Sequence, residues 1–210
     1  MAGYNLIRPN RDQLLLMPPA LQDWLPADDL AYFLLDAVDQ FDLTPFYGAY
    51  RVDGVGQAAF GPHMMVALLL YAYCLGVRSS RQIERLCQRD VAFRVVAGNL
   101  RPDHATIARF RQRHTEALKG LFTDIRRLCR EAGLVKAGVV ALDGTKMAAD
   151  AAPDANRTYE SIRSEVETML ADAESTDAAE DQLVGPEQRG DELPEAMRDR
   201  NGRLERTPRQ

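Results

Sequence analysis

Pro62-His63-Met64-Met65-Val66-Ala67-Leu68-Leu69-Leu70-Tyr71-Ala72-Tyr73-Cys74-Leu75-Gly76 is apolar on nearly every side of a helix, from a proline at its first turn to a glycine at its end. Proline costs least at the first helical position, where its missing N–H has no partner to lose. The run from Met64 to Leu75 is about a dozen residues, well short of the roughly 18 that a membrane span requires. A helix that is apolar all round and does not cross a bilayer is the central helix of a bundle. The fold class expected from this stretch is therefore mainly α.

On its N-terminal side, Asp28-Asp29 caps a helix with Leu30, Phe33, Leu34, Ala37, Val38 and Phe41 on one face. That is the i, i+3, i+4, i+7 spacing of a single buried stripe. Residues 42–61 contain Pro45, Gly48, Gly54, Gly56 and Gly61 and read as loop, while residues 1–27, with Pro9, Pro18, Pro19 and Pro26, read as an extended lead-in. On the C-terminal side, Ser79 or Ser80 caps a further helix with Ile83, Leu86 and Cys87 inward and Arg81, Arg85 and Arg89 outward. A short helix near 91–97 ends at Gly98-Asn99. Asp103 then caps the longest helix, expected over 104–132, with Ile107, Phe110, Leu118, Leu121, Ile125 and Leu128 on its inner stripe.

The chain carries a net charge of −5, unevenly spread. Residues 1–77 carry −5, residues 78–136 carry +8, residues 137–149 are neutral and residues 150–210 carry −8. A cationic middle third between acidic flanks is the electrostatic pattern of a nucleic-acid footprint; a solvated helical face is its plain rival. Arg81, Arg85 and Arg89 recur every four residues, a spacing that disfavours an isolated helix by roughly 0.2–0.5 kcal/mol per pair. Such a stripe makes better sense facing phosphates. Arg109, Gln112 and Arg113 project opposite the inner stripe in the first turns after Asp103, whereas Arg111 lies near the apolar stripe and reads as structural, snorkelling from the core edge. Two helices, a turn and a third helix with polar residues near its start form a helix-turn-helix-like arrangement, in which the last helix reads the major groove. The candidate DNA-contacting residues are Arg78, Ser80, Arg81, Arg85, Arg89, His104, Thr106, Arg109, Gln112 and Arg113.

Val135 to Leu142 reads as a strand buried on both faces, delivering Asp143 to a turn with Lys146 three residues on. A carboxylate at a strand end is where two-metal nucleases anchor Mg²⁺, through hard oxygen ligands gathered from separate elements. Asp143-Gly144 is equally an ordinary turn. Ala148–Ala152 could continue a second strand, and Tyr159–Ala173 has weak helical periodicity through Ile162, Val166, Met169 and Leu170. Residues 172–210 are polar and acidic and are expected as flexible helix or disorder. His104 reads as a helix-start residue and His114 as a core-edge residue, with no further ligand to complete a metal set. Cys74, Cys87 and Cys129, odd in number and without C-x-x-C spacing, fit a reduced cytoplasmic protein. No signal peptide is apparent.

Residues from about Leu25 to Tyr159 resemble bacterial insertion-sequence transposases of the DDE type with an InsH-like N-terminal domain. The residues carrying the resemblance are Leu69-Leu70-Tyr71-Ala72-Tyr73 with Gly76-Val77-Arg78-Ser79-Ser80-Arg81-Gln82-Ile83-Glu84, then Asp90-Val91-Ala92-Phe93-Arg94. Arg101-Pro102-Asp103-His104-Ala105-Thr106-Ile107-Ala108-Arg109-Phe110-Arg111 and Leu142-Asp143-Gly144-Thr145-Lys146 follow in order. The resemblance implies N-terminal helices that bind the element's terminal inverted repeats and an RNase H-like domain whose first strand carries the first catalytic Asp, here Asp143. It also implies a Mg²⁺ cofactor, with Lys146 near a phosphate. Gly190-Asp191-Glu192-Leu193-Pro194-Glu195 resembles the family's insertion between its first and second Asp, and neither the second Asp nor the Glu can be assigned. The expected organisation is a lead-in over 1–27, a helical DNA-binding domain over 28–133, the start of an incomplete RNase H-like domain over 134–171 and an acidic tail over 172–210.

The expected function is the DNA-binding, N-terminal portion of a cut-and-paste transposase, cytoplasmic and nucleoid-associated. Its expected partners are double-stranded DNA at the element ends, a second copy of the chain or an intact transposase, and no membrane. Two other readings stay open: an inactive truncated DNA-binder that regulates an intact transposase, and a helical interaction module without DNA affinity.

Overall fold

The computed structural model describes residues 21–48, 50, 59–131 and 159–192. These residues are mainly helical, and no strand occurs among them. A 3-10 turn at Leu21–Trp24 leads into α1 (Leu30–Asp39), α2 (Thr44–Tyr47), α3 (Pro62–Cys74), α4 (Ser80–Arg89), α5 (Val91–Val96), α6 (His104–Arg113), α7 (Thr115–Glu131) and α8 (Tyr159–Val184). The expected strand at 135–142, Asp143 and Lys146 lie outside the described residues.

α3 is the axis of the bundle. From Met65 to Cys74 every residue is buried, and α1 and α5 pack against it. Its end is set by Gly76, whose φ of 74° lets the Val77 N–H reach back to the Ala72 carbonyl at 2.9 Å. That six-to-one bond closes a Schellman motif, at a backbone geometry that side-chain-bearing residues resist. Short acidic or hydroxyl side chains start α1, α4, α5 and α6. Asp29 accepts from Ala31 N–H, Ser79 from Gln82, Asp90 from Phe93 and Asp103 from Thr106, at 2.7–3.1 Å. Each satisfies an N–H that the first turn leaves without a helical partner.

Apart from the four-residue α2, which lies within the stretch 42–61 expected as loop, two elements differ from their expected form. The helix anticipated over 104–132 is two helices that part at His114, where φ is −114° and ψ is 21°. The Thr115 hydroxyl donates to the carbonyls of Arg111 and Gln112 at 3.0 and 3.1 Å. Ile107, Phe110, Leu118, Leu121 and Ile125 are nonetheless all buried. The inner stripe continues across the break, and so periodicity did not reveal it.

The second difference is larger. α8 runs 26 residues, unbroken through residue 171, and packs along α7 and against α4. Val166, Met169, Leu170 and Ala173 lie in the same hydrophobic core as α1 and α3. The stretch 172–184, expected to be flexible, is the second half of this helix. Its inward stripe continues at the same spacing as Asp177, Glu180 and Asp181, so the buried face changes from apolar to acidic.

Candidate nucleic-acid interface

Asp177, at the point where the stripe turns acidic, is buried against α4 and α6. Its carboxylate accepts from the Ser80 backbone N–H at 2.8 Å, the Ser80 hydroxyl at 2.5 Å and Arg111 Nη2 at 2.6 Å. Arg111 Nη1 also donates to Tyr73 Oη at 3.4 Å and Ser80 Oγ at 3.3 Å. Arg111 is only 2% exposed. It is structural as expected, but it sits inside the bundle with its own counterion and does not snorkel from the rim.

Arg81 occupies the next position outward and is also 2% exposed. Its guanidinium meets Asp181 at 2.7 Å and Glu180 at 3.9 Å, and donates to the carbonyls of Gly185 at 2.6 Å and Gln188 at 2.8 Å. A cation over the last carbonyls of a helix is where the helix dipole favours one. Ser79 completes this layer, donating its hydroxyl to the Glu180 carboxylate. Ser80 and Arg81, both candidate DNA contacts, therefore face α8 and not an open surface.

The outermost layer is the turn after α8. It is bounded by Gly185 at φ 93° and Gly190 at φ 87°. A Cβ on Gly190 would lie 3.1 Å from the Val184 side chain, so the turn folds closely back on the helix end. Pro186 offers its carbonyl to His104 Nε2 at 3.0 Å, while His104 Nδ1 and backbone N–H both meet Glu84 Oε2, at 2.7 and 2.9 Å. A carboxylate at the amino end of α6 is the favourable sign for the helix dipole. Arg189 lies between Glu84 at 3.7 Å and the Gln88 side chain at 3.2 Å, and also pairs with Asp191. Asp191 in turn accepts from Arg89 at 3.0 Å. Partial burial pushes the Asp191 carboxyl up, but Arg189, together with Arg85 and Arg89, outweighs this and holds it below the usual carboxylate range.

The α4 stripe, expected to face phosphates, meets carboxylates and carbonyls of the same chain in this structure. The residues that sequence reasoning missed are Glu84, Asp177, Asp181 and Asp191. For the last three the signal was present in the −8 charge of the last third set against the +8 of the middle, with acidic residues extending the Ile162–Val166–Leu170–Ala173 spacing. Arg78 is half-buried at the start of this region.

The outer face of α6 is different. Arg109, Gln112 and Arg113 are exposed, with Thr106 partly so, while His104, Ile107, Phe110 and Arg111 form the buried face. Arg109 is steadied by its own helix, donating to the Ala105 carbonyl at 3.1 Å and Thr106 Oγ at 3.4 Å. Burial and the hydrogen bonds from Thr106 act on Asp103 in opposite directions, and the bonds prevail, keeping its carboxyl low and the cap ionised. This face can present two guanidiniums and an amide on one helical stripe, the donor set that phosphate oxygens and base edges accept. No group of three or more His, Cys, Asp or Glu is arranged to hold a metal among the described residues. No helix there is long and apolar enough to cross a membrane.

Residues 19–113 match a family model described as a transposase domain (DUF772), a span ending with the last residue of α6. No curated protein and no solved structure matches the chain. This part of the chain is similar to a transposase domain, and both α7 and α8 lie beyond the match.

Proposed function

We propose that this chain is the DNA-binding part of a cut-and-paste transposase and that α6 lays its outer face on double-stranded DNA at the ends of an insertion sequence. The observation carrying this reading is the uncovered stripe of Arg109, Gln112 and Arg113 on a helix whose opposite side is locked into the bundle. It is supported by the transposase-domain match, which spans α1 to α6. α4, α5 and α6 follow one another with short connections, and α6 serves as the recognition helix of a helix-turn-helix-like unit. A protein of this kind works in the cytoplasm, at the nucleoid, and a second copy of the chain is its natural partner at paired element ends.

Asp143 is the proposed first metal-binding carboxylate, with Lys146 near a phosphate. This assignment is supported by the resemblance of Leu142-Asp143-Gly144-Thr145-Lys146 to the first-Asp motif. A Mg²⁺ site needs further carboxylates beside Asp143.

The test is binding to duplexes carrying the element ends, against scrambled duplexes, at several salt concentrations. Arg109→Ala and Arg113→Ala are each expected to weaken binding, and each lost phosphate contact should lower the salt slope by about one unit. If the full chain binds neither duplex at low salt, the DNA reading is overturned.

A further inference from the structure

We propose that the outer face of α4 is a second phosphate-binding surface, occupied in this structure by the outer segment Arg189–Glu192 of the turn after α8, which DNA displaces. This rests on the DNA-binding reading above and adds to it a surface and a mode of control.

The turn places oxygen atoms where a nucleic-acid backbone would. The Asp191 carboxylate sits on Arg89 at 3.0 Å and lowers the repulsion between Arg89 and Arg85. The attachment is graded from inside to outside. Arg111 and Asp177 expose 2% and 8% of their side chains, whereas Arg89 exposes 67% and Asp191 21%. Buried, multiply bonded charges are hard to separate, while exposed pairs are held weakly and are screened by salt. The outer segment Arg189–Glu192 can therefore leave α4 while buried Arg81 keeps the Gly185 and Gln188 carbonyls and α8 stays anchored through Asp177 and Val166.

The segment has the hinge chemistry for this. Gly190 holds a positive φ angle, which glycine exchanges for other values at little steric cost. The turn's shape is maintained by its own contacts, since the backbone N–H groups of Arg189 and Gly190 both donate to the Glu192 carboxylate at 2.8 Å. A phosphate approaching α4 meets Arg85 and Arg89 and competes with one carboxylate for them. Arg189, paired with Glu84, leaves with the segment, so displacement removes one cation and two carboxylates from the face. α8 and the turn lie outside the transposase-domain match, as an attached regulator of that domain would.

The full chain and its Asp191→Asn/Glu192→Gln variant are compared for binding to a fluorescent duplex at about 0.15 M salt, where charges beyond roughly 8 Å are largely screened. Glu160→Gln/Asp172→Asn, two exposed α8 positions, supplies the same change in net charge away from α4. The turn variant is expected to bind about two- to fivefold more tightly than this control, the gain set by losing one exposed competing pair. Adding Arg89→Ala to the turn variant is expected to remove the gain. Equal affinity of the turn variant and the control, with Arg109→Ala still weakening binding, overturns the α4 proposal and leaves the α6 reading intact. No binding by any form at low salt overturns both.

Discussion

His114 shows what a single side chain does in this bundle. It leaves helical geometry between α6 and α7, and its ring packs against Phe46 at 5.3 Å, Phe110 at 4.7 Å and Tyr50 at 6.0 Å. Burial among these rings disfavours the imidazolium, and the neighbouring Arg113 charge adds to the effect, so its pKa lies below the ordinary 6.5. The folded state then binds a proton less readily than the unfolded chain. This group's contribution is complete above about pH 6.5 and is lost as pH falls from there through the folded pKa. His114→Phe keeps the aromatic contacts, and its Nε2, which has no hydrogen-bond partner among the described residues, leaves nothing unsatisfied behind. The variant is expected to stay within about 1.5 kcal/mol at neutral pH and to have a shallower loss of stability between about pH 6.5 and 5. Urea midpoints at those two pH values measure this. Identical slopes for both proteins would assign the acid sensitivity to other groups. Cys87 titrates at the other extreme, as burial pushes its thiol up to about 12 and leaves it inert as a nucleophile at neutral pH.

Between elements, the α8 contact with α4 and α6 depends on Asp177. Removing one partner of a buried pair leaves an uncompensated charge, at a cost of about 3–5 kcal/mol. Asp177→Ala is expected to destabilise the protein by that amount in urea titration, because Arg111 and the Ser80 N–H lose their acceptor together. Replacing both members by apolar residues, Asp177→Leu with Arg111→Met, is expected to recover most of the loss. A double variant as unstable as the single one would show that the Ser80 bonds, and not the charge pair, hold the helices together. α3 meets this network through the Tyr73 hydroxyl, while most of its buried stretch is held by apolar packing.

At the scale of the molecule, α8 is a structural member of the bundle. It covers the apolar face of α7 and neutralises two guanidiniums that are otherwise buried without counterions. A chain ended after Glu131 would expose that face and leave Arg81 and Arg111 without their carboxylates. It is expected to aggregate or to unfold without a cooperative transition, as followed by circular dichroism and light scattering against the full chain. A cooperative, monodisperse 1–131 fragment would contradict the structural role of α8.

Apart from α2 and the break that ends α6, the helices through α6 were legible in the sequence because their signals are local. Asp29, Ser79, Asp90 and Asp103 sit beside the N–H groups they cap, and the period of Leu34, Ala37 and Val38 is that of the helix they belong to. The all-apolar Met64–Leu75 run by itself determined that this helix would be central. The outward stripe of Arg109, Gln112 and Arg113 was equally readable, since an unpaired cationic face needs no distant partner to identify it. Only the tertiary structure decided the fate of Arg81, Arg111 and Ser80, because their partners lie 66 to 107 residues away. Charge at a sequence position says that an anion is needed. Which anion supplies it, a phosphate or a carboxylate on α8, depends on where the chain returns.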